Sequence, residues 1–238
     1  GPVIGGAVVE GVSWQAIFWL NVPVAVVAVP LLLVAIQESR GTWQRLDWVG
    51  VLMLGGAVFL GVWGIVHGND DGWSDPRVVV PLVVAGLLLP AYVAWARGRS
   101  YAVLPLRLFA SRSFSVANVI ALFFTLGMFG TVFLLSQYLQ IVQGYSPLEA
   151  GVRTLPWTAA PMVVAPIAGA LAPRVGLRPL LSLGLVLQTA SLVWFAVLTE
   201  TGAGYSSFVA PLLLAGVGMG LTFAPMATAV LDGLPDED

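Results

Sequence analysis

Seven long apolar runs constrain this chain more than any other feature. They are Trp14 to Ile36, Trp48 to Val66, Val78 to Ala96, Phe114 to Val142, Ala150 to Ala172, Leu180 to Leu198 and Phe208 to Leu231, and Arg153 is the single charge within them. A helix of about 17 to 25 apolar residues crosses a bilayer. Each run is continuously apolar, whereas a strand of a membrane barrel alternates over about ten residues, so helices are expected. The stretch Gly1 to Val9 is too short to span alone and reads as the tail of a helix. The fold expected is an all-α integral membrane bundle that crosses the bilayer several times.

Composition closes off other classes. Hydrophobic residues make up 58% and charged residues 9% of the 238, against roughly 25% charged in soluble domains. Water cannot be the main solvent of such a chain. The net charge of -2 gives no sign of a nucleic-acid partner. Cysteine is absent and His67 is alone, which excludes a disulfide framework, a thiolate metal site or a histidine cluster. No cofactor is expected. H-E-x-x-H, G-x-S-x-G and Walker A sequences are all missing, so enzyme readings have no support. No basic segment or cleavage site of a signal peptide precedes the first long run.

The connections, tallied alternately, give an orientation. One set contains Arg40, Arg45, Arg97, Arg99, Arg107, Arg112, Arg174 and Arg178. The other ("EGVS", "HGNDDGWSDPR", "QGYSPLE", "TETGAGYS") offers only Arg77, together with Asp70, Asp71, Asp75, Glu149 and Glu200. The positive-inside rule makes the arginine-rich set cytoplasmic. The "GPVIGG" end then lies outside and "DGLPDED" inside.

Three segments carry a family resemblance: "GPVIGG" followed by "IFWLNVP", then "SQYLQIVQGYSPLEAGVRTLP", and last "LLLAGVGMGLTFAP". They resemble the major facilitator superfamily, and most closely its fourteen-helix drug:proton antiporter branch, over essentially the whole chain. The resemblance implies an internal fragment, from the end of helix five through helix twelve. Residues 1–36 would end the N-terminal six-helix bundle, 37–98 would be two linker helices, and 99–238 the first four helices of the C-terminal bundle. It also implies proton-driven export of drugs or other amphipathic small molecules by alternating access, with the proton carrier an acidic residue in helix one. Two alternatives stand beside it: an exporter of one metabolite or siderophore, and a non-transporting scaffold or receptor.

Gly1, Pro2, Gly5 and Gly6 match the end of the antiporter motif. Pro2 removes a backbone donor and the glycines remove bulk, which favours a bend and close helix contact. The resemblance implies that this bend seals the interface between halves; an ordinary small-residue packing face is the alternative. Gly216 and Gly220 form a second such face. "GALAPRVGLRPLL" matches the superfamily loop motif at Gly169, Leu171, Arg174, Gly176 and Arg178, with Pro173 where the motif has Asp. A charge relay through that position is therefore in doubt, and topological anchoring is the other reading.

Polar groups inside the spans are costly and should face the bundle or a wet cavity. Asn118, Gln137, Gln140 and Gln188 are candidates for a substrate pathway, with Phe129 and Phe133 on the face shared by Gln137 and Gln140. Trp157 and Trp194 are candidate cavity aromatics. Each of these residues has the alternative of fixing helix packing. Glu149 and Arg153, one turn apart, suggest a structural ion pair, or else a coupling carboxylate. Pro156, Pro161 and Pro166 should each delete a helix hydrogen bond, in a helix that either flexes or is statically curved.

Overall fold

The computed structural model describes residues 1–35, 46–99, 101–199 and 204–231. Ile36, Arg40, Arg45, Glu200 and the stretch 232–238 lie outside the described residues. The chain folds into α1 (Pro2–Gly11), α2 (Ala16–Ala35), α3 (Trp48–Asp71), α4 (Pro76–Ala96), α5 (Arg112–Gln137), α6 (Pro147–Arg153), α7 (Leu155–Val175), α8 (Leu177–Leu198) and α9 (Tyr205–Leu231). A 3-10 turn covers Leu106–Ala110, and α5 runs on into a π-helical turn, Tyr138–Val142. Among the described residues, seven helices are long and apolar enough to cross a membrane; α1 and α6 are the short ones.

The termini follow from local chemistry. Asp47 and Asp75 cap α3 and α4, and Pro76 opens α4 where a missing N–H costs nothing. Ser146 caps α6 in a reciprocal box with Glu149, followed by Pro147. Gly176, at φ 88°, lets α7 stop and α8 begin at one residue.

The fifth apolar run, expected as one span from Ala150 to Ala172, is divided at Thr154 into α6 and α7. Pro156 explains the break, because its ring clashes with the carbonyl four residues back. Pro156 therefore sits in the first turn of α7 and deletes no internal hydrogen bond, whereas Pro161 and Pro166 lie inside the helix as expected.

Two compact units emerge. The first contains α1, α2 and α5 to α9. Here α9 is packed against both α7 and α8, through backbones brought close by glycine. A Cβ on Gly216 would lie 2.5 Å from the Trp157 carbonyl, and one on Gly220 2.7 Å from Val164 Cβ. Gly184 and Gly218 do the same where α8 crosses α9. In a bilayer, lipid tails are as apolar as leucine, so such close contact and shared hydrogen bonds replace the hydrophobic drive. Ser191 Oγ, fully buried, donates to the Pro211 carbonyl at 2.7 Å. Phe124, Met128, Leu135, Leu139, Trp157, Phe208 and Leu212 form the core, while α2 buries no residue.

The second unit is the hairpin of α3 and α4 with the 3-10 turn. Gly64 lets α3 approach Leu82 and Val78 of α4. Tyr92 Oη accepts from the Leu104 amide at 2.8 Å and donates to its carbonyl. Asp47, only 4% exposed, accepts from Gly50 N, Trp95 Nε1 and Val103 N. The Gly50 amide above all, then the Trp95 and Val103 donors and the Arg99 charge, hold its carboxyl below the ordinary Asp value despite burial.

Candidate functional site

A cavity of about 450 Å³ is walled by α1, α5, α6, α7 and α9. Pro2, Gly5, Gly6 and Val9 supply one side; Met128, Val132, Leu135, Ser136, Leu139 and Gln140 another; Ala150, Gly151, Thr154, Trp157, Thr158, Pro161 and Met219 complete it. The volume falls in the range of drug-sized sites, roughly 300–1,000 Å³. None of its lining residues is charged. The polar groups are few: the Gln140 amide, bonded to Ser136 Oγ at 2.8 Å, the hydroxyls of Thr154 and Thr158, and the Trp157 indole. Thr154 and Thr158 donate back to carbonyls of their own turns, Gly151 and Thr154. Trp157 is 3% exposed and its Nε1 has no partner among the described residues.

The small residues of α1 shape this wall. Gly6 is buried where a Cβ would strike the Pro147 carbonyl, and a Cβ on Gly151 would lie 2.5 Å from the Pro2 carbonyl. Helices α1 and α6 thus meet backbone to backbone. Of the three glycines expected to favour close helix contact, Gly6 makes it; Gly5 borders open cavity space and a Cβ on Gly1 would meet nothing within 4 Å among the described residues.

The structure brings Gln140 and Trp157 together with Pro2, Gly5 and Gly6. Gln137, Phe129 and Phe133 lie on an exposed face of α5 and do not line the cavity. The π-helical turn separates the two glutamines: the Gln143 amide reaches back five residues to the Tyr138 carbonyl, which changes the register on which a shared face was expected. Asn118 bonds to the Phe114 carbonyl one turn back at 2.9 Å. Gln188 borders a smaller cavity of about 290 Å³ between α5 and α8, with its Oε1 buried and without a partner among the described residues. Trp194 lines neither cavity. Of the loop-motif residues, Gly169, Leu171 and Arg174 lie in the last turns of α7, Gly176 at the junction, and Arg178 in the first turn of α8. Arg174 complements the C-terminal end of the α7 dipole.

At the end of α1 opposite Pro2, Glu10 Oε2 accepts from Ser146 Oγ at 2.7 Å and from the Leu148 amide at 3.1 Å. Glu149 approaches Arg153 at 3.9 Å, and the Arg153 guanidinium lies 3.7 Å from the Tyr145 ring centre. Glu149 occupies the first turn of α6 and pairs with Arg153, as the structural reading expects. Sequence reasoning missed Glu10, Ser136, Thr154 and Thr158. The Ser-x-x-Glu spacing at Ser146 was a usable signal for the α6 start, but nothing in the sequence indicates that Glu10 lies 138 positions away from its backbone donor. Among the described residues no group of three His, Asp or Glu side chains suits a metal.

Residues 1–238 match the Major Facilitator Superfamily, and the chain belongs to that family of membrane transporters. It is a multi-pass protein of the plasma membrane and not an enzyme. The chain is 32% identical to the tetracenomycin C resistance and export protein of Streptomyces glaucescens over 240 residues, covering 100% of this chain and 44% of that protein. It is 30% identical to the multidrug resistance protein B homolog of Mycobacterium tuberculosis (98% and 44% covered) and 28% identical to the multidrug export protein EmrB of Escherichia coli K12 (100% and 47%). The chain spans about half the length of these curated relatives.

Proposed function

We propose that this chain is part of a secondary active exporter that moves drugs or other amphipathic small molecules out of the cell in exchange for protons, by alternating access. The observation that carries the reading is the cavity behind the antiporter-motif residues. It is drug-sized and mostly apolar with a few polar groups, and it lies between α1, expected to end the N-terminal bundle, and helices expected in the C-terminal bundle, as a poorly selective site for alternating access requires. Gly5 and Gly6 of the motif meet that cavity directly, so a change in how α1 rests on α6 changes the cavity wall. The residues assigned to the substrate pathway are Gln140 and Trp157 in this cavity and Gln188 in the smaller one. Protons as the driving ion are supported by the resemblance of the three quoted segments to the drug:proton antiporter branch.

The test uses the complete protein reconstituted in vesicles. An imposed pH gradient should drive efflux of an aromatic dye, and collapsing the gradient should abolish it. Efflux that persists without the gradient refutes proton exchange; absence of any efflux from well-inserted protein favours the scaffold or receptor alternative.

A further inference from the structure

We propose that the smaller cavity, between α5 and α8, binds a neutral aromatic molecule carrying one hydroxyl group, with the side-chain amide of Gln188 as its polar contact. This rests on the reading of Gln188 as a substrate-pathway residue and makes the cavity a second ligand site of the exporter. It shares no lining residue with the larger cavity.

Gln188 lies midway along α8 and is 7% exposed, and its Oε1 is buried without a partner among the described residues. Its backbone is held against α9: a Cβ on Gly218 would lie 2.9 Å from the Gln188 main-chain nitrogen, and one turn further on Ser191 Oγ donates to the Pro211 carbonyl. What Gln188 offers the cavity is therefore its side chain. Phe123, Phe124 and Leu185 make the wall apolar, and the Thr189 hydroxyl is the other polar side-chain group in it.

An unpaired amide buried at membrane depth is unfavourable, because no bulk water replaces the missing bond. A ligand hydroxyl supplies that bond in either sense: it donates to Oε1, or, after a half-turn of the amide, accepts from Nε2. The volume of about 290 Å³ sets the size. A dry cavity of roughly 150 Å³ already takes benzene, so this one has room for one ring with a short alkyl chain. None of the lining residues is charged, so an ionic ligand would be desolvated with no counter-charge in the wall.

The experiment is photolabelling of the complete protein in lipid vesicles by 4-butylphenol bearing a diazirine in its chain, competed by 4-butylphenol or by butylbenzene at known concentrations in the bilayer. Label should fall within 119–127 and 185–192, and 4-butylphenol should compete about three- to tenfold better than butylbenzene. In Gln188→Leu, which keeps a side chain of similar size, label should persist and the preference vanish. Gly127→Leu should abolish the label, since Gly127 lines the cavity and a Cβ there would meet nothing within 4 Å. A wild type unlabelled in these segments overturns the proposal, showing the cavity closed by other parts of the protein. Equal competition in the wild type overturns it as well, as does a preference that survives Gln188→Leu or label that survives Gly127→Leu. Labelling needs no gradient, so absent dye efflux with the hydroxyl preference intact counts against the exporter reading alone, and dye efflux by a protein that takes no label counts against this site alone.

Discussion

The carboxylate of Asp47 accepts a hydrogen bond at 3.2 Å from the amide of Val103, a residue 56 positions further along the chain. Asp47 therefore ties the start of α3 both to Trp95 near the end of α4 and to the segment that follows. Its pKa is lowered in the fold, chiefly by the Gly50 amide, so the stabilisation is present in full above the ordinary value of 3.8 and is lost as pH falls from there through the folded value. Amide exchange at Val103 should be flat from neutral pH down to about 5 and accelerate below 4. Asp47→Asn should remove this acid response, because its amide nitrogen would face the Val103 or Gly50 donor with a donor of its own. An acid response that survives in Asp47→Asn would assign it to another group.

Gly6 and Gly5 should respond differently to the same substitution. A Cβ at Gly6 meets the Pro147 carbonyl and the Leu148 Cα, both backbone atoms that cannot rotate away, and overpacking of this kind costs about 1–3 kcal/mol. Gly5→Ala meets nothing within 4 Å and gains up to about 1 kcal/mol of helix propensity. Thermal unfolding of the two variants in one detergent should place Gly6→Ala below the wild type and Gly5→Ala at or above it. Equal losses would show that α1 does not cross α6 at Gly6. Gly5→Leu should impair efflux in the complete protein, because its side chain fills the cavity.

Glu149→Gln should be close to silent in both stability and efflux. It retains the cap on α6 and loses an exposed ion pair with Arg153 worth about 0.3–0.5 kcal/mol. Arg153→Ala should cost more, since its guanidinium also lies over the Tyr145 ring and 5.6 Å from the Tyr205 ring centre. Loss of gradient-driven efflux in a well-folded Glu149→Gln protein would make Glu149 a coupling carboxylate.

Orientation can be tested by reporters, expected outside when fused in 69–75 and cytoplasmic in 101–111. The contacts agree with the alternating arginine tally. Glu10 bonds to Ser146, and Tyr205 to Arg153, within connections assigned outside; Asp47 bonds to Trp95 and Val103 within connections assigned inside. Arg153 adds one charge to the outer set, which leaves eight arginines facing two. Labelling of both loops from one side would overturn the scheme.

Helix count and span limits were legible because each apolar run had to satisfy its backbone internally, and helix is the solution open to such a run. The Thr154 break was missed, where Pro156 acts on the turn before it, and α3 runs on to Asp71, five residues past the expected Val66. The site was less legible. A shared face for Gln137 and Gln140 assumed uniform α-helical register, which the π-turn at Tyr138–Val142 does not keep. Glu10 looked like an ordinary loop carboxylate, since the meeting of α1 with α6 depends on how Gly6 and Gly151 pack, and spacing along a chain does not encode that.

Trp157 gives the sharpest test of the cavity. Its ring is buried in the core, so Trp157→Ala should destabilise by about 3–5 kcal/mol and report only on packing. Trp157→Phe keeps most of the apolar ring and removes a buried N–H that has no partner, a group whose burial costs about 1–3 kcal/mol. Stability should therefore hold or rise in Trp157→Phe. If the indole serves substrates, efflux of molecules carrying a hydrogen-bond acceptor should weaken in the same variant, while efflux of apolar dyes without one should not. Measuring KM for a matched pair of such substrates in the complete protein decides this: a rise confined to the acceptor-bearing member assigns the N–H to substrate, and equal values for both members return Trp157 to packing alone.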